Sequence, residues 1–351
     1  MDKQISKSES RILNTIFLVV SLLSSIFELG PVVLLIANGY SLPEILAGGI
    51  SYQVGNLAAS TVKGSRALVI VLLILASGLA YFVPGNIAFI YPSLILTSLG
   101  IQKVRRFLLA INTEQGPSTL VKRLIRIAGF AVAGLISYQG YVTLIVSLVA
   151  VTTLVAWWRS ENWSSNPSIS KPRRSFLSDI MVVHQSHYFS YAYLIPFLFV
   201  RGLGIPPSLV GLFFIIGWIS YVLTERLIRY RNLVLVFISG HILVAISLFT
   251  IALFHDFFPV VAIAWFTSGF GGGTVFCITK LNKSSRVQSV EMEFWEDVGH
   301  VLGVTVSWGL AITVFQASGV FYVSAAIALV AASMMFLSRA RINSPESMTQ
   351  L

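Results

Sequence analysis

The sequence predicts an all-α integral membrane protein of about twelve transmembrane helices, arranged as two pseudo-symmetric six-helix bundles. Composition, the lengths of the apolar segments and the placement of the basic residues each predict it. Of 351 residues, 56% are hydrophobic and 11% charged, a balance that excludes an ordinary soluble domain. Twelve apolar segments run at roughly 12–37, 44–62, 67–84, 87–109, 119–138, 141–158, 179–200, 207–227, 232–254, 258–279, 290–314 and 318–338. Most reach the roughly 20 residues that a helix needs to cross the hydrocarbon. None shows the alternation of a barrel strand, so helices are the spanning structure expected. Of the 24 Lys and Arg, all but Arg201 fall at the termini, in the even-numbered gaps or at adjoining helix ends. Miscounting one segment would destroy that alternation. By the positive-inside rule both termini are cytoplasmic, in a plasma (inner) membrane. The net charge of +10 is therefore topological. Nucleic-acid binding would need one concentrated basic patch, and the sequence has none.

Taken in order, Lys3, Lys7, Glu9 and Arg11 precede an apolar run too long for a signal-peptide core and without a small-residue cleavage site, so the first segment is expected to stay. Segment one carries Glu28 within Phe27-Glu28-Leu29-Gly30-Pro31, where Pro31 frees a backbone carbonyl. Segment two carries Gln53 and Asn56 at helical spacing, suited equally to substrate contact and to bonding between helices. Residues 159–178 form the one long polar run between the termini. With Pro167, Pro172, Lys171, Arg173 and Arg174 they read as a cytoplasmic linker between halves at 1–158 and 179–351. One cysteine, Cys277, excludes an intramolecular disulfide framework. In segment ten, Gly269-Phe270-Gly271-Gly272-Gly273 follows no strand and precedes no Lys-Ser/Thr, so close packing or a hinge is expected there rather than a phosphate loop.

The halves repeat. Gly39-Tyr40-Ser41-Leu42-Pro43 enters segment two and Gly202-Leu203-Gly204-Ile205-Pro206 enters segment eight. In the same order Lys63 and Arg66 match Arg226 and Arg229, Thr97-Ser98 matches Thr267-Ser268, and Gly129 matches Gly299. Parallel six-helix repeats of this kind build two-halved secondary transporters. Gly217 followed by Thr224-Glu225-Arg226-Leu227-Ile228-Arg229-Tyr230-Arg231 is similar to the cytoplasmic loop motif of the major facilitator superfamily. The chain resembles that family over nearly its whole length. The first-half counterpart, Val62-Lys63-Gly64-Ser65-Arg66, lacks the acid. The resemblance implies that the first helix of each three-helix unit lines a central cavity.

Ionisable groups inside apolar segments are costly and by default functional. Glu28, Gln53, Asn56, His184, Gln185, His187, Tyr188, Tyr191, Asp297 and His300 are the candidates for substrate or proton binding. Residues 184, 187, 188 and 191 share one helical face, expected to look into a water-filled cavity. Glu296 and Asp297 lie four and three residues before His300. Near the cytoplasmic ends, Arg123 and Arg126 of segment five match Glu293 and Glu296 of segment eleven. Together with Lys103, Arg105 and Arg106 they make a candidate cytoplasmic gate. Three functions fit these residues. The first is a secondary transporter of a small solute, expected to be proton-coupled and an exporter, and to work as a monomer. The second is a divalent-metal transporter with His184, His187, Asp297 and His300 as ligands, and the third a polytopic metal-dependent membrane enzyme on the same ligands. No ATP-binding or cofactor motif is present, and no cofactor is implied. The solute transporter ranks first, because an enzyme does not need repeated halves.

Overall fold

A computed structural model describes residues 7–62, 65–111, 119–158, 172–228, 232–282, 286–313 and 317–342. Among the described residues the regular structure is entirely helical. Seven helical stretches are long and apolar enough to cross a membrane, among them Glu9–Ala37, Leu233–Leu253 and Ala317–Arg339. The first half contributes α1 (Lys7–Ala37), α2 (Leu42–Thr61), α3 (Arg66–Tyr81), α4 (Ile90–Ile111), α5 (Thr119–Ala133) and α6 (Tyr138–Trp158). The second contributes α7 (Phe176–Ala192), the short α8 (Leu194–Phe197), α9 (Val210–Leu227), α10 (Leu233–Leu253), α11 (Phe258–Gly272), α12 (Val275–Leu281), α13 (Arg286–Thr313) and α14 (Ala317–Ile342).

Local chemistry explains where the helices start and break. Ser65 and Asn232 cap α3 and α10 by accepting backbone N–H bonds, and Ser175 with Ser178 forms a capping box at α7. The helix thus starts inside the run read as linker, whose residues 159–171 lie outside the described set. Segment seven is broken after Ala192, because Pro196 has no N–H to give the Ala192 carbonyl. Pro31 removes the corresponding bond to Phe27, yet α1 runs through it. Segment ten breaks at Gly273 and Thr274, between α11 and α12. Each of the two turns that enter α2 and α9 contains a glycine in the left-handed region, Gly39 at φ 84° and Gly204 at φ 67°.

The chain divides into two compact units. One comprises residues 1–38 and 47–170, the other residues 39–46 and 171–351. Within the first, α1 packs on α4, α5 and α6, and α3 on α4 and α6. Within the second, α7 packs on α13 and α14, α10 on α11 and α14, and α9 on α11. Close approach in both depends on small residues, as expected where lipid offers no hydrophobic drive between helices. A Cβ at Gly129 would stand 2.6 Å from Ser25 Cβ and 2.9 Å from the Leu22 carbonyl. One at Gly299 would stand 2.6 Å from both Gln185 Cβ and the Val182 carbonyl. The segment-ten glycines pack as expected. A Cβ at Gly269 would meet the Gly217 carbonyl at 2.0 Å, and one at Gly273 the Tyr221 carbonyl at 2.5 Å.

Candidate functional site

In the first unit the intramembrane carboxylate is half of an ion pair. Glu28, on the turn of α1 just before Pro31, accepts two bonds from Arg126 Nη2 of α5, at 2.9 and 3.1 Å. The Gly129 contact makes this reach possible, because it brings α5 onto α1 one turn away. The sequence makes both members of the pair candidates, but in different roles: Glu28 for substrate or protons, Arg126 for the gate. Tyr52 donates to the Ser24 carbonyl of α1 at 3.2 Å. The amides of α2 are satisfied by protein: Asn56 donates to Gln53 at 2.8 Å and accepts from Ser98 of α4 at 2.5 Å. That is the helix-bonding role weighed for them, at a point where Gly55 would place a Cβ 2.4 Å from the Ile95 carbonyl. Lys103 is buried and donates to the Val62 carbonyl, while Arg105 is exposed and Arg106 and Arg123 are partly so.

In the second unit the polar groups form two clusters on different sides of α7. Towards the start of α13, Gln185 of α7 donates to Glu296 at 2.9 Å. His300 lies 3.8 Å from both Glu296 and Asp297, as their helical spacing predicts, and stacks on Phe189 with ring centroids 3.9 Å apart. Glu293 is exposed on the same helix. On the other side of α7, His184, His187 and Tyr191 are 1%, 0% and 0% exposed. That face of α7 is turned into the interior of its own unit, not towards solvent, and only Tyr188 is partly exposed. Tyr188 and Tyr191 contact edge to face, and Tyr191 also meets the Trp265 ring of α11.

The partner of the His pair is His241 of α10, which sequence reasoning passed over. His184 Nδ1 and His241 Nε2 are 2.9 Å apart, and His241 Nδ1 lies 2.8 Å from the Phe237 carbonyl. A carbonyl only accepts, so His241 carries its proton on Nδ1 and turns an unprotonated Nε2 towards His184 Nδ1. Ligand-capable nitrogens of His184, His187 and His241 all lie within 4.8 Å of one another. Among the described residues this is the set of three or more such groups that comes together, and it replaces the expected set of His184, His187, Asp297 and His300. The reason is rotation: His300 faces the acids and Phe189, whereas the two α7 imidazoles face α10. The signal that would have found His241 was its setting. It is the single ionisable residue in Leu233–Leu253, whose mean hydropathy of 2.4 is unmatched by the other spans.

The loop motif is seen in part. Thr224 bonds the carbonyls of Ser220 and Phe270, Glu225 is partly buried and Arg226 exposed. Arg66 donates to the Ala156 carbonyl at 3.3 Å. Lys63, Arg229 and Arg231 lie outside the described residues.

Helix order and packing together define a polytopic membrane protein with the major facilitator superfamily fold. Known structures carry this fold over their whole lengths. A D-xylose–proton symporter superposes with a TM-score of 0.64 at 13% identity, over 94% of this chain and 98% of that one. A peptide transporter gives 0.65 at 13%, over 95% of each chain. A bacterial metal transporter gives 0.63 at 12%, over 95% and 99%. No protein-family model matches the sequence, nor does any curated protein sequence.

Proposed function

We propose that this chain is a secondary transporter of a small solute, working by alternating access of two six-helix halves, twelve membrane helices in all. The supporting observation is the superposition, over nearly all of both chains, on structures named as sugar, nucleoside, peptide and metal transporters. The division at 1–158, 159–178 and 179–351, with both termini cytoplasmic in a plasma (inner) membrane, is part of the proposal. So are a monomeric state and an exporting direction.

Protons are the coupling ion in this reading, and Glu28 is where one binds. A proton on Glu28 removes the charge that holds Arg126, so protonation and release of α5 from α1 are linked. Asp297 and His300 supply a second exchange point in the other half. In a rocking cycle the cytoplasmic ends of two halves meet in one state only. Arg123 and Arg126, with Lys103, Arg105 and Arg106, then gate against Glu293 and Glu296, and Arg126 is shared between this gate and Glu28.

Thermal-shift screening of the purified chain with sugars, nucleosides, dipeptides and amphipathic cations identifies a solute for proteoliposome assays. An imposed pH gradient should drive its accumulation. Glu28→Gln should abolish that drive while leaving solute counterflow intact. A Glu28→Gln protein that still concentrates solute against its gradient would remove Glu28 from coupling. Orientation is checked separately in a Cys277→Ser background. Externally added maleimide should label Gly85→Cys and miss Ser165→Cys, and the reverse pattern would overturn the assignment.

A further inference from the structure

Three imidazoles of the second unit, His184, His187 and His241, have no role in the transport reading, and their surroundings make them hard to explain as packing. They sit beside Ile180, Met181 and Phe237, among buried apolar side chains. The ring centroids of His184, His187 and His241 are 5.0–5.3 Å apart in all three pairs. Two of the rings satisfy each other, through the His184–His241 bond and the bond from His241 to Phe237. The third does not. His187 is 0% exposed and neither ring nitrogen makes a well-formed hydrogen bond; its one polar contact is the backbone of His184 in its own helix. A buried polar group without a partner is strongly unfavourable, and natural interiors avoid it.

We infer that His184, His187 and His241 bind one late first-row divalent cation, zinc above all, as a resident ion of this unit. Three neutral nitrogen donors without a carboxylate suit Zn²⁺ and its neighbours in the series, and do not suit Mg²⁺ or Ca²⁺, which take oxygen. The bond from His241 Nδ1–H to the Phe237 carbonyl leaves Nε2 bare and aimed at the other rings, the arrangement that usually orients a metal-bound imidazole. Zinc–nitrogen bonds of about 2.0–2.1 Å hold ligand atoms roughly 3.3 Å apart in a tetrahedral site. The 2.9 Å between His184 and His241 must then open by a few tenths of an ångström, and His187 must swing in. Coordination through His184 Nδ1 places that ring's proton on its Nε2, with no change in the charge of the three rings. The ion ties α7 to α10, both of which pack against α14. All three ligands belong to one unit, so the inference holds whatever solute the chain carries.

The test is metal content of the full chain, purified in detergent, stripped with a chelator and dialysed against zinc chloride. About one zinc per chain is expected in wild type and in the His255→Ala and His300→Ala controls. His187→Ala and His241→Ala should each lower the retained zinc by roughly tenfold or more. His187→Ala keeps the assay interpretable, since its ring makes no hydrogen bond to another helix, and size-exclusion chromatography should show it monodisperse. Zinc should also raise the thermal unfolding midpoint of wild type and not of His187→Ala. Cobalt(II) should give the visible bands of a four-coordinate site, three nitrogens and one water, in wild type and both controls but not in His187→Ala. Wild type that retains no zinc above the level of His187→Ala overturns the inference. So does zinc retained equally by His187→Ala and His241→Ala, or stabilised equally in wild type and His187→Ala.

Discussion

The helix pairs α1–α5 and α7–α13 are built on one plan and filled with different chemistry. In each, a glycine of the later helix lies against a backbone carbonyl of the earlier one, Gly129 on Leu22 and Gly299 on Val182. In each, the residue three before that glycine reaches a polar side chain across the interface: Arg126 to Glu28, and Glu296 to Gln185. The first contact is ionic and the second is an amide on a carboxylate. The two acids thus have unlike partners, although the backbones that present them approach in the same way. Small-residue contacts set how near two membrane helices come, and the side chains one turn away are then at liberty to diverge. Similar glycine contacts in this way accompany an ion pair in one unit and an amide–carboxylate bond beside a histidine in the other.

The largest effects should come from breaking the shared plan. Gly129→Ala and Gly299→Ala each force a methyl group to within 2.6 Å of a neighbouring side chain, and overpacking of this kind costs about 1–3 kcal/mol. Both should lower the thermal unfolding midpoint in detergent by several degrees and to similar extents. A clear fall for one variant alone would mean that the two glycine contacts do not carry equal weight.

Exchanging the chemistry sharpens the comparison next. Gln185→Glu places a second carboxylate where the amide now lies 2.9 Å from Glu296. Two ionised carboxylates so close repel each other, and the repulsion vanishes when either takes up a proton. The variant should therefore be destabilised by about 1–2 kcal/mol at neutral pH and recover as pH falls through the carboxylate range, by the linkage of pKa to stability. Unfolding midpoints at neutral and acidic pH decide it, and a deficit independent of pH would mean that the two groups turn apart.

A smaller loss is expected for Glu28→Gln. Arg126 is 42% and Glu28 21% exposed, so water offsets much of the lost pairing and about 1 kcal/mol is appropriate. The variant turns the first-unit contact into the kind found in the second. Unfolding midpoints of wild type and variant measure it, and a loss of several kcal/mol would mean that the pair is far less hydrated than its exposure implies.

The smallest effect concerns the gate. Since Arg126 is engaged with Glu28, Arg123 is the cleaner residue to reverse. Each hydrated pair is worth up to about 1 kcal/mol, enough to move a two-state population severalfold. Glu293→Arg should shift spin-label distances between the cytoplasmic ends of α5 and α13 towards a more open distribution, and adding Arg123→Glu should restore them. Distributions identical in wild type, single and double variants would remove these residues from any gate.

The sequence by itself determined the solvent and the order of the elements. Apolar runs of spanning length with basic residues confined to alternate gaps leave few alternatives to a polytopic helical protein, because hydrocarbon cannot hydrogen-bond an exposed backbone. Spacing along one helix was equally legible: Glu296, Asp297 and His300 are neighbours because a helix repeats every 3.6 residues. Contacts between helices were not. A soluble helix advertises its buried face by an apolar stripe, but α10 is apolar on both sides, with Leu235 and Ile246 exposed and Phe237 and Val244 buried. Hydrophobicity therefore says nothing about which way such a helix is turned, or at what height its neighbour meets it. Tertiary structure alone decided that Arg126 finds Glu28 and that His241 joins His184 and His187, because small-residue packing and side-chain hydrogen bonds set those rotations, and both depend on the partner helix.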